Sequence, residues 1–393
     1  MTPTRRQTLQ TAGATLVTAL AGCLGGGVSR TVTLQPVDGE SGDAFGWDVA
    51  LGQEWALVGA PAAGTDAEGA AYLFGPENGQ RRLDSDHPAG EFGGAVALDG
   101  DTALVGASAT ADPDIDGAVT VFRRSDGEWT REARLVPPDG AASGEFGYDV
   151  ALADGRALVG ARGTDRAGLT AAGVAHVYER ADSAWTHTTT LAPAESGAYD
   201  YAGGSVALTG ERALLGSFLA DAPATDAGSA TVFEHSRGAW RDDVTLTASD
   251  GRAGDRFGNA VALDGGTALV GAVGRGGDTA APADSGGAYV FRADGEWSHL
   301  TTLSPPRDDP DAAFGVAVTL DGPRALVGAF DGIGPGRAAL FERNGTAWSR
   351  RTTLRPENGD DGDGFGSSVA LAGDRALVGS VADGPGSATR FEL

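Results

Sequence analysis

Lysine is missing from this chain. All 29 basic side chains among its 393 residues are arginine, and they face 54 aspartates and glutamates, for a formal net charge of −25. That balance excludes nucleic acid as a partner, because phosphate binding needs a basic stripe and the sequence has none. Cysteine is nearly missing too: with Cys23 alone, no intramolecular disulfide can form and the fold must stand on its core. No apolar run reaches the roughly 20 residues that a membrane-spanning helix needs. Histidine is scarce (His87, His176, His187, His235 and His299), and no zinc spacing or Ser-His-Asp constellation surrounds it. His187 and His299 each stand two residues after a tryptophan in matching segments, as features of a repeat would. The chain is therefore expected to be non-catalytic.

Glycine is abundant, at 63 residues, without the strict three-residue period of collagen; it falls between short apolar runs, where turns belong. The carboxylates are spread along the whole chain, which reads as a solvated surface suited to high salt, where screening shortens self-repulsion. An acid-rich, lysine-free composition resembles that of proteins from salt-loving archaea.

The first 27 residues read as an address. Arg5-Arg6 precede a small-residue apolar stretch from Ala12 to Gly22, the pattern of a signal peptide using the twin-arginine route. Leu20-Ala21-Gly22-Cys23 is similar to a lipobox, which places the lone cysteine at the lipidation site. The expected organisation is a signal at 1–22, a lipidated Cys23 with a Gly25-Gly26-Gly27 tether at 23–27, and one folded unit over 28–393.

That unit is built from repeats. Phe-Gly recurs at Phe45, Phe92, Phe146, Phe257, Phe314 and Phe365, and Tyr201-Ala202 is read as the remaining slot, making seven. Ala-Leu-Val-Gly-Ala starts at Ala56, Ala103, Ala157, Ala268 and Ala325, with variants at Ala213 and Ala376, again seven. A third strand led by glycine follows, as in Gly117-Ala118-Val119-Thr120-Val121-Phe122. A fourth strand carries Trp-x5-Leu, as in Trp129/Leu135 and Trp348/Leu354. Each repeat thus predicts four short strands, in the second repeat over 95–98, 102–107, 118–122 and 129–135. The inner strands are apolar on both faces, as stacked blades require, so the fold class expected is all-β: a seven-bladed β-propeller of four-stranded antiparallel blades.

These motifs resemble the FG-GAP repeat, the unit of the integrin α-subunit propeller, over about residues 28–393. The seventh repeat ends at Leu393 without a fourth strand, and residues 28–36 have the matching offset of Leu34 to Phe45. They are predicted to complete the last blade from the other end of the chain, so that no sheet edge is left open. In the family the fourth strand runs from the lower to the upper face. Val28 is five residues on from Cys23, a reach of at most roughly 17 Å, so the lower face is expected to look toward the membrane and the upper face outward.

The resemblance implies binding on the upper loops. Trp47, Tyr148, Tyr199, Tyr201, Phe218 and Phe330 lie near them and are the candidate contacts for an extracellular protein or a glycan. It also implies calcium, held in an Asp-rich loop between strands one and two. Those loops are too short here, as in Asp99-Gly100-Asp101, and the one run that opens like a calcium loop is Asp112-Pro113-Asp114-Ile115-Asp116-Gly117, between strands two and three. Asp112, Asp114 and Asp116 are its candidate ligands. The function expected is a monomeric, lipid-anchored interaction module on the outer face of the cell membrane, in adhesion or envelope assembly. The alternative is a carbohydrate-binding protein or a polysaccharide-acting enzyme on the same scaffold.

Overall fold

The computed structural model describes residues 19–20, 28–64, 68–76, 79–86, 90–108, 117–138, 144–274, 286–305, 313–330, 334–356, 362–381 and 384–393. Every regular element among them is a β-strand, and the strands form seven antiparallel sheets in a closed ring, each inner strand packed against the next. The second blade shows the plan: Ala95–Asp99, Thr102–Ala107, Ala118–Ser125 and Glu128–Leu135, ordered from the axis outward. The second strand of every blade is apolar from Ala to Gly and buried throughout that stretch, because a blade presses on each of its faces. The hydrophobic core is accordingly seven wedges, one at each junction between neighbouring blades.

The Phe-Gly motif has a geometric cause. In all seven blades the chain enters the inner strand through a β-turn whose fourth residue donates its N–H to the carbonyl of the first, as Trp47 does to Ala44 at 3.1 Å and Tyr148 to Glu145 at 3.1 Å. The third turn position takes φ between 83° and 96°, which a type II turn reserves for glycine. The turn phenylalanines are buried and meet an aromatic ring of their own blade's third strand, Phe45 against Tyr72 at 5.5 Å and Phe365 against Phe391 at 6.1 Å. The glycine of Val-Gly-Ala completes the contact between blades. A Cβ on Gly59 would lie 1.9 Å from the Gly93 carbonyl oxygen, and the same clash of Gly on Gly recurs at all seven junctions. The repeat therefore spells a close backbone approach between blades.

One reading of the sequence is corrected by one residue. Ala202, not Tyr201, occupies the phenylalanine position of the fourth blade: it bridges to Gly173 as Phe92 does to Gly69, and Gly203 is the turn glycine. Tyr201 takes the first turn position instead, with φ 56°, where the other blades have Ala44, Glu91, Glu145, Arg256, Ala313 and Gly364, all at positive φ.

The ring closes as the chain pattern indicates. Arg30–Leu34 pairs antiparallel with Ser387–Glu392, from Arg30 opposite Glu392 to Leu34 opposite Ala388, and Val32 and Leu34 are each 1% exposed. Ala19–Leu20 adds a short outer pairing with Val32 and Thr31. On the face that carries the hairpins between strands one and two (the lower face), blades are also tied by polar contacts. Arg156, Arg212 and Arg324 donate to carbonyls of the next blade's hairpin, at Gly210, Gly265 and Gly373. Aspartates that end the first strand serve as well: Asp99 accepts from Asp154 N–H, Asp264 from Gly322 N–H and Asp321 from Gly373 N–H. The axis is a channel of about 260 Å³ lined by the Val-Ala-Leu segments of the inner strands, with small variations. No helix among the described residues is long and apolar enough to cross a membrane.

Candidate functional site

Loops between blades, and between strands two and three, emerge on the upper face. The fourth residue of each Phe-Gly turn stands there, at the rim of the channel; in the first and third blades it is Trp47 and Tyr148. The first residue past the second strand stands beside it, Arg162 in the third blade, Phe218 in the fourth and Phe330 in the sixth. Two neighbouring blades bring these positions together. The Arg162 guanidinium lies 3.4 Å from the Tyr148 ring centroid and 5.7 Å from that of Tyr201, and its Nε donates to Glu145 at 2.5 Å. Tyr201 stacks on Phe218 at 5.8 Å and an interplanar angle of 21°, and Tyr199 leans on Tyr201 at 6.4 Å. The backbone fixes both tyrosines, since Tyr199 and Tyr201 N–H donate to the carbonyls of Thr170 and Ala171 in the third blade's loop.

Four of the six aromatic candidates, Tyr148, Tyr199, Tyr201 and Phe218, thus form one layered group with Arg162. Trp47 stands apart on the first blade, without a ring partner among the described residues, and Phe330 packs beneath the seventh blade's turn, 3.4 Å from where a Cβ on Gly364 would sit. Among the described residues, the large hydrophobic side chains that remain exposed, between 42% and 63%, are Val37, Trp47, Val136 and Tyr199. All four belong to the loops entering the inner strands, so all lie on the upper face.

Two carboxyls at the same rim were not singled out from the sequence. Asp48 and Asp149 each follow the rim aromatic, in Phe-Gly-Trp-Asp and Phe-Gly-Tyr-Asp. Each accepts two backbone N–H groups, one from its own strand and one from the next blade: Asp48 from Val49 at 2.8 Å and Val96 at 2.7 Å, Asp149 from Val150 at 2.8 Å and Val206 at 2.7 Å. Ser205 repeats the device by accepting from Val261 at 3.1 Å. Burial, and then the charge of Asp149, push Asp48 up to about 7, and burial pushes Asp149 up to about 6. Both are therefore partly protonated near neutrality. They couple blades one to two and three to four.

The metal candidates Asp112, Asp114 and Asp116, like Cys23, lie outside the described residues. Among the described residues no group of three or more His, Cys, Asp or Glu side chains is placed to hold a metal. Hairpins between strands one and two turn in two residues, as with Asp99 opposite Thr102 and Ala153 opposite Arg156, so they have no span for an Asp-x-Asp-x-Asp-Gly loop. The His187 and His299 rings occupy equivalent places, opposite Tyr178 and Phe291 at 5.4 and 5.5 Å.

Comparison with known proteins agrees with this geometry. The model of the FG-GAP repeat matches residues 28–74, 83–122, 129–178, 185–233, 240–291 and 348–389. No curated protein matches the chain. Among solved structures, a chain of the "Crystal Structure of Mitotic Checkpoint Complex" matches 99% of this chain over 99% of its own length, at a TM-score of 0.58 and 10% identity, a likeness of fold alone.

Proposed function

The chain belongs to the FG-GAP repeat family, and from that premise we propose that it is a non-catalytic interaction module of the cell surface, held by a lipid on Cys23 and binding its partner on the upper face. The observation that carries this reading is the segregation of exposed apolar side chains. Val37, Trp47, Val136 and Tyr199 all sit on that face, and exposed apolar groups gathered on one side mark contact surfaces. The lower face, by contrast, carries no exposed large apolar side chain among the described residues. A twin-arginine signal would deliver the chain across the membrane, and the tether at 23–27 would leave the upper face outward.

The layered group of Tyr148, Arg162, Tyr201 and Phe218 supports glycan binding as a second reading, since rigid rings beside a polar head suit sugar faces and hydroxyls. The test is a capture experiment from envelope extract at high salt, with residues 28–393 as bait. A stoichiometric protein captured by the wild type and lost with Trp47→Ser plus Tyr199→Ser supports the first reading. Saturable glycan binding lost with Tyr201→Ala moves the assignment to the second. Capture unaffected by any of these substitutions refutes both.

A further inference from the structure

The seam where the two ends of the chain meet carries a group that the repeat does not explain. In six blades the middle leucine of the second strand faces an apolar residue of the third: Leu73, Val121, Val177, Val232, Val290 or Leu340. In the seventh blade Leu377 faces Arg390, which is 8% exposed. A charge at a core position needs compensating partners, yet the buried Arg390 Nε has no hydrogen-bond partner. The charges around it are two arginines and a single acid. Arg375 and Arg30 both lie directly opposite Glu392, one on each side of it, and Arg390 is two residues from Glu392 on the same face of the sheet. Burial, and then Arg375, lower the proton affinity of Arg390.

Arg375 crosses the seam, donating from Nη2 to the Gly52 carbonyl at 3.0 Å and to that of Gln53 in the first blade. Arg30 belongs to the closing strand and is exposed. Three guanidiniums thus gather around one carboxylate, in a chain whose net charge is −25. The side chains come from the second strand, the third strand and the closing strand, so they meet only when the ring is shut.

We propose that Arg390, Arg375 and Arg30 form a binding site for a tetrahedral oxyanion of the phosphate class at the lower end of the seam between blades seven and one. Guanidinium forks match phosphate oxygens in geometry and charge, and a bound oxyanion supplies the acceptor that Arg390 lacks. Since the site exists only in the closed ring, the ligand stabilises closure by mass action. The phosphate can be free or the headgroup of a lipid, and the two sources are separable.

The test uses the full chain carrying Cys23→Ser, so that no acyl group contributes, and compares it with the same chain bearing Arg390→Leu. Leucine or valine fills this position in the other blades, so the variant folds, with a urea midpoint no lower than that of its parent. Expected is a parental midpoint that climbs with the logarithm of sodium phosphate concentration, beyond the response to sodium chloride at equal ionic strength, and no such excess in Arg390→Leu. Vesicles of phosphatidylglycerol sedimenting with the parent and not with the variant, and competed by phosphate, assign the site to lipid headgroups. A phosphate response without vesicle binding assigns it to the free anion. The proposal is overturned if phosphate adds nothing beyond chloride, or if the Arg390→Leu chain responds as its parent does.

Discussion

Raising the pH should weaken this propeller across a range where most proteins are indifferent, and Asp48 should be the main cause. Unfolded, an aspartate gives up its proton near pH 3.8; in the folded ring Asp48 holds it to about pH 7 and Asp149 to about pH 6. Between those limits the native state carries protons that the unfolded chain has lost, so stability is full at low pH and falls as pH rises through the folded values. At about 1.4 kcal/mol per pH unit, Asp48 alone accounts for roughly 4 kcal/mol. Asp149 adds roughly 3 kcal/mol on the same scale, less whatever the two share by acting on each other. The assay is urea unfolding at about pH 5, 6, 7 and 8 in constant high salt, read as midpoint and slope. General repulsion in a chain of net charge −25 tilts the profile the same way, so the informative comparison is with Asp48→Asn. Asparagine cannot accept both N–H groups through oxygen, which costs about 1–2 kcal/mol at every pH but removes the titration. The reasoning predicts a profile flatter than wild type by roughly half between about pH 5 and 8. Parallel profiles for the two proteins would refute it.

Two further outcomes follow from packing. A chain starting at Asp38 lacks the closing strand and its buried Val32 and Leu34, at about 1.5–3 kcal/mol each, and leaves the Ser387–Glu392 edge open; its urea midpoint should lie well below that of a chain starting at Val28, and equal midpoints would disprove the closure. Gly59→Ala sets a Cβ 1.9 Å from the Gly93 carbonyl oxygen, whereas Gly100→Ala meets nothing within 4 Å and pays only for its φ of 55°. Thermal unfolding should therefore show a loss of about 3 kcal/mol or more for Gly59→Ala, against about 1 kcal/mol for Gly100→Ala.

Most of the fold was legible because its determinants are local and repeated seven times. A glycine required by a type II turn, a second glycine required by blade contact and an apolar strand between them leave the same trace in every repeat. The single slip, Tyr201 for Ala202, came from following aromatic character: Tyr-Ala-Gly-Gly offers an aromatic one residue early, whereas the offset from Leu191, the same as that from Leu34 to Phe45, and the bridge to Gly173 both select Ala202. The site was less legible because it is assembled across blades. Tyr148 and Tyr201 are far apart in the chain, and Arg162 and Glu145, which bind them into one group, carry no motif of their own. A signal did exist for Arg162, which fills the slot after the second strand that Phe218 and Phe330 fill elsewhere. Asp48 and Asp149 could have been found as the only acids at that step of the seven Phe-Gly segments. Arg390 was visible as a charge in a column of valines and leucines, but its burial and its neighbours were not.

The central claim, that the upper face receives the partner, is most directly tested by amide hydrogen exchange on the complex with whatever the capture experiment yields. The account predicts protection concentrated in the loops leading into the inner strands, around Val37 to Trp47, Val136 to Tyr148 and Tyr199 to Gly204, with the lower hairpins at Gly52, Asp99 and Asp154 unchanged. Protection of those hairpins with the upper loops unchanged would contradict it.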